Sequence, residues 1–160
     1  MNNKYLKAHS LLRMFAALLA IIVFISMFIT KMVIVKAGGV EVGFYDFRNG
    51  AVFGGDLCKG NVLGFFGYLF DLLGGLAGLA FVFVDELIGK DLTKKLSFVA
   101  GGLAVAGAII VMLFAPVFNG INDFHENFVA AAEPIVFGIL ALLFVGAPNI
   151  AAPILEDKGY

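Results

Sequence analysis

The sequence predicts an all-α membrane protein: a four-helix transmembrane bundle with a small β-hairpin-like first outer loop. Three observations predict it. Of 160 residues, 61% are hydrophobic and only 14% are charged, whereas soluble domains carry about a quarter charged residues. Mean hydropathy is +1.00. Four apolar runs each exceed the roughly 20 residues that a helix needs to cross the hydrocarbon of a bilayer. A single domain over residues 1–160 is expected, with helices at about 11–35, 62–84, 96–118 and 128–150 and outer loops at 36–61 and 119–127.

Met1 to Arg13 is a short basic lead with Lys4, Lys7, His9 and Arg13. Leu11 to Val35 is apolar except for Arg13, Ser26, Thr30 and Lys31. Val35-Lys36-Ala37 resembles a signal cleavage site, but the apolar run is longer than the roughly 7–15 residues of a signal core. A retained first helix is expected. In the loop that follows, Val40 to Phe47 has strand-like residues. Asn49-Gly50 is a favoured two-residue hairpin turn, and Ala51-Val52-Phe53 is the expected return strand. An irregular, glycine-rich loop is the competing reading.

The second helix is the most informative stretch. Gly64, Gly67, Asp71, Gly74 and Gly78 recur at steps of three and four, which sets them on one stripe. Bulky Phe and Leu residues fill the other faces. Asp71 lies about 13 Å along the axis from Val62 at 1.5 Å per residue. A charge at such depth costs at least ~2.5–3.5 kcal/mol. Three readings of Asp71 stay open: a proton or cation site, a register-fixing polar residue paired with Lys31, or a headgroup residue on a helix that starts later. The third helix, Leu96 to Phe118, has no ionisable residue. Small residues on its stripe, with those of the second helix, permit close backbone approach. Gly64, Gly67, Gly74, Gly78, Gly101, Ala104 and Ala108 are therefore the expected helix-packing or interface residues. The fourth helix, from Phe128 to about Ile150, has Pro134 near its start, with Pro148 and Pro153 at its far end.

The N-terminal lead has Lys4, Lys7 and Arg13, the middle connection Lys90, Lys94 and Lys95, and the tail Lys158, against Lys36, Arg48 and Lys59 in the first loop and none in the second, a moderate bias. That bias predicts a multi-pass cell-membrane protein with both termini cytoplasmic. Phe, Ile, Lys and Asn are abundant, as in proteins of AT-rich bacterial genomes. The plan of cytoplasmic ends, a large first loop and a small second one resembles claudin-type tetraspan proteins in topology alone. That family's first loop carries a Trp motif and a Cys pair, whereas this chain has no Trp and only Cys58.

Several function classes are excluded. A net charge of −1 argues against nucleic-acid binding. One cysteine permits neither an internal disulfide nor a cysteine-based zinc site. Asp123, His125, Glu126 and Glu133 match no metal-ligand spacing. The glycine pairs match no dinucleotide fingerprint. No catalytic residue, metal or cofactor is expected. The leading expectation is a non-enzymatic membrane building block. It contacts lipids and forms homo-oligomers or joins other membrane subunits through its Gly/Ala faces and outer loop. The alternative is a small ion or proton channel or transporter using Asp71.

Overall fold

A computed structural model describes residues 7–56, 58–122 and 128–158. These residues form six helices and three strands in the order α1 (Ala8–Ser26), β1 (Lys31–Ala37), β2 (Val40–Asp46), α2 (Val62–Ile88), α3 (Lys90–Met112), α4 (Phe114–Asn122), β3 (Phe128–Ala130), α5 (Ala132–Ala141) and α6 (Ala147–Asp157). A π-helical segment, Leu142–Gly146, joins α5 to α6 into one continuous fourth rod. Four helices are long and apolar enough to cross a membrane: α1, α2, α3 and the rod Ala132–Asp157.

The helices are packed inside out relative to a soluble bundle. In α1, Ala16, Ala17, Ala20 and Val23 are buried, while Leu11, Phe15, Leu18, Ile22 and Ile25 are exposed. Small residues inside let the helices approach closely, and the large apolar ones are left on the outer surface. Around the bundle, α1 packs against α2, α2 against α3, and the fourth rod closes the ring against α3 and α1.

The first helix ends nine residues earlier than the apolar run does. Ser26 donates back to the Val23 carbonyl at 2.6 Å, and Thr30 to the Ser26 carbonyl at 2.8 Å. Such back-bonding competes with the helical ladder. The β-branched run Val33-Ile34-Val35 then takes the extended form that it prefers. Lys31–Ala37 becomes the central strand of an antiparallel sheet ordered β2-β1-β3. A hairpin is present, but not the expected one. Its two-residue turn is Gly38-Gly39, with φ of 58° and 82°, joining Ala37 to Val40. Two successive positive φ values suit a type I′ turn. Asn49-Gly50 makes a different bend. Asp46 Oδ1 accepts from the Arg48 and Asn49 amides, and Ala51 and Val52 then bury fully against the bundle. Ala51 to Phe53 is not a strand.

Prolines explain the other differences. Pro116 has no N–H for the Met112 carbonyl, and the third apolar helix breaks at Leu113 before α4 resumes. Phe128 to Ala130 joins the sheet, so the fourth rod begins at Ala132, with Pro134 in its tolerant first turn. Pro148 withholds a donor from the Phe144 carbonyl, and the ladder around it widens to the π form. The sheet, the described loop residues 47–56 and 58–61, and α4 cap one end of the bundle. The N-terminus of α1, the α2–α3 connection and the end of α6 share the other.

Candidate functional site

Asp71 is fully buried, and among the described residues neither carboxylate oxygen has a hydrogen-bond partner. Its position follows from glycine on both sides of a helix contact. On α3, a Cβ at Gly107 would stand 2.6 Å from the Gly67 carbonyl oxygen and 3.1 Å from Asp71 Oδ1. Only a glycine fits there, and its lack of a side chain brings the α3 backbone against the carboxylate. One turn towards the sheet end, Tyr68 is also fully buried, and its hydroxyl has no partner among the described residues. Glu133 lies in the first turn of α5.

Towards the opposite end, buried polar groups from all four rods form a network. Pro153 removes the N–H that would bond the Asn149 carbonyl. The Ser97 hydroxyl donates to that carbonyl instead, at 2.7 Å. Arg13, 1% exposed, donates to Ser97 at 3.4 Å and lies 3.9 Å from Glu156. The Asn149 amide donates to the carbonyls of Val145 at 3.0 Å and Gly74 at 3.3 Å. Two atoms of this network, Arg13 Nε and Asn149 Oδ1, have no partner among the described residues. Thr93 and Ser10 are buried at the same end. On α2 and the fourth rod, the polar groups run in order from Tyr68 and Asp71 to Asn149 and Glu156.

Lys31 does not reach Asp71. It belongs to β1, where its amine pairs with Glu41 at 2.5 Å and sits 4.9 Å from the Phe44 ring centroid. The Asp71–Lys31 pair rested on a first helix that continued to Val35. The small-residue positions face neighbours within the chain. Gly64 lies under the Phe114 ring, Gly67 against Gly107 and Ile110, and Gly74 against Ala100 and Ala104. Gly78 seats the Asn149 amide, Gly101 meets Gly146 and Ile150, and Ala108 lies beneath Gly138. Ala104 and Ala108 are fully buried.

Sequence reasoning missed Tyr68, Gly107, Ser97, Asn149 and the interior place of Arg13. Pro153, four residues after Asn149, was the legible signal, because it frees a carbonyl that another helix must satisfy. At the sheet end, burial raises the Cys58 thiol above its ordinary range, and burial followed by the neighbouring Cys58 raises Tyr45. Asp123, His125 and Glu126 lie outside the described residues. Among the described residues no group of His, Cys, Asp or Glu is placed to hold a metal ion. Comparison with protein-family models, with curated proteins and with solved structures finds no match for this chain.

Proposed function

We propose that this chain is a multi-pass membrane protein that takes up and passes a proton or small cation at Asp71. One observation carries the reading: a carboxyl with no exposure and, among the described residues, no hydrogen-bond partner, enclosed by four apolar helices. Ionisable groups in a membrane interior are costly and rare, and they mark ion and proton pathways. Buried Asn149, Ser97 and Arg13 on the facing rods, with Tyr68 on α2 itself, support this reading with interior polar groups that were not evident in the sequence. In this reading the chain resides in the cell membrane with both termini cytoplasmic, so the sheet faces outward.

A building block that assembles with other subunits is the second reading. Its support now comes from the sheet rather than the glycines, whose faces are occupied within the chain. Among the described residues strand β2 has an unpaired edge, and Val40, Val42 and Phe44 are exposed on one of its faces. The deciding experiment is ion flux in proteoliposomes. The transport reading expects proton or monovalent-cation flux above that of empty vesicles, abolished by Asp71→Asn with assembly unchanged. Wild-type flux in Asp71→Asn, or none in the wild type, sinks it. A stable oligomer in native lipid without flux would favour the second reading.

A further inference from the structure

A proton and a metal cation ask different things of a buried carboxylate. A metal cation sheds water on entering a dry site and needs oxygen ligands in return. Calcium takes about six to eight, and magnesium a near-octahedral set. Potassium filters use rings of carbonyls, and other cation channels use rings of acidic side chains. A proton needs one lone pair.

The helix contacts fix what stands level with Asp71. On α2 it lies between Gly67, which meets Gly107 and Ile110, and Gly74, which meets Ala100 and Ala104. The fourth rod crosses this level between Gly138, which meets Ala108 and Met112, and Gly146, which meets Val105. Helix α1 meets α2 one turn further from the sheet, where Gly75 rests on Ala16, Ala17 and Ala20. The side chains of these stretches carry no oxygen or nitrogen from Met14 to Ile25 on α1, from Phe98 to Met112 on α3, or from Pro134 to Ala147 on the fourth rod. On α2, from Val62 to Val84, only Tyr68 and Asp71 do.

The backbone offers little more. Membrane cation sites draw carbonyls from unwound or broken helices, whereas α1, α2 and α3 run unbroken through this level. In the π-helical segment of the fourth rod, the Leu142 carbonyl accepts from the Ala147 amide and the Val145 carbonyl from the Asn149 side chain. The packing also leaves no space for a cation to bring its own water. A Cβ at Gly107 alone would stand 3.1 Å from Asp71 Oδ1 and 2.6 Å from the Gly67 carbonyl oxygen.

Resting on the reading of Asp71 as the transport site, we infer that its occupant is a proton, and that metal cations are excluded because the middle of the bundle offers them too few oxygen ligands. Uptake balances simply: one proton bonds to one carboxylate oxygen, the carboxylate becomes a neutral carboxyl, and no other group changes charge. Tyr68, one turn away on α2, is the nearest titratable neighbour in sequence. On the elements packed against α2, the described titratable and charged groups stand near the bundle ends. They are His9 and Arg13 on α1, Lys90, Asp91, Lys94 and Lys95 on α3, and Glu133, Glu156 and Asp157 on the fourth rod.

The test uses the full chain in proteoliposomes. An internal pH dye reads protons, and radioactive sodium, rubidium and calcium read metal cations, with thiocyanate as the permeant anion that carries compensating charge. Asp71→Asn and the smaller Asp71→Ser each remove the acid, so the comparison survives if one of them does not assemble. The expected result is proton flux that persists when N-methylglucamine replaces every metal cation and falls to the empty-vesicle level in both variants. Uptake of sodium, rubidium and calcium by the wild type is expected to equal that of empty vesicles. Asp71-dependent uptake of any of the three, or proton flux that stops without metal cations, overturns the inference and leaves Asp71 as the site. A wild type with no Asp71-dependent flux of any of these ions overturns the parent reading, and this one with it.

Discussion

Ser97→Ala is the sharpest probe of the packing account. The Ser97 hydroxyl is fully buried and supplies the donor that Pro153 withholds from the Asn149 carbonyl. Leaving a buried acceptor unsatisfied costs about 1–3 kcal/mol. That loss should be conditional. Pro153→Ala restores an N–H four residues beyond Asn149, so the carbonyl regains a helical partner and no longer needs Ser97. The loss of the Arg13 contact to Ser97 is common to both backgrounds and cancels in the cycle. The expected coupling between the two substitutions is therefore about 1–2 kcal/mol, with Ser97→Ala nearly neutral when residue 153 is alanine. Reversible unfolding in mixed micelles, followed by circular dichroism for the four chains of the cycle, measures it. Losses that add to within about 0.5 kcal/mol would refute the claim that Ser97 serves the carbonyl freed by proline.

Two further predictions follow from the same geometry. A Cβ at Gly74 would stand 2.7 Å from the Ala100 carbonyl oxygen, whereas one at Gly102 meets nothing within 4 Å. Gly74→Ala should then cost about 1–3 kcal/mol from overpacking, and Gly102→Ala should stabilise by up to about 1 kcal/mol through helix propensity; similar effects at the two sites in the same unfolding assay would count against the close approach of α2 and α3. Cys58 and Tyr45 are both raised above their ordinary values, so each favours the fold below its unfolded pKa and loses that contribution as pH rises through the folded one. Stability of the sheet end should fall on the alkaline side, and the double variant Cys58→Ala, Tyr45→Phe should flatten that fall. An unchanged alkaline limb would remove burial as the cause.

Membrane-length helices were legible because composition and run length alone reveal them. Their boundaries were less so. Leu11 to Val35 reads as one apolar run, and periodicity cannot divide a run in which nearly every position is apolar. What divides it is tertiary: β2 and β3 offer hydrogen bonds to both edges of Lys31–Ala37. The same partner draws Phe128–Ala130 out of the fourth helix. Asn49-Gly50 outranks Gly38-Gly39 as a turn signal on propensity, but the β-branched residues flanking the glycines lie at the right spacing to pair. Asp71 was legible as an anomaly and its stripe as a contact face. Its surroundings were not, because Tyr68, Asn149 and Ser97 each look unremarkable in their own helix. Only convergence from separate rods gives them a shared role. The proline positions were visible throughout, and they predicted breaks better than they predicted which side chain would answer each freed carbonyl.

The account stands or falls on whether Asp71 exchanges a proton inside the bundle. Infrared difference titration of the protein in lipid nanodiscs reads this directly, since a protonated carboxyl and a carboxylate absorb in separate bands. The account predicts a carboxyl band in the wild type that appears and disappears reversibly with pH and is missing in Asp71→Asn. A wild-type spectrum with no pH-dependent band assignable to Asp71 would contradict it.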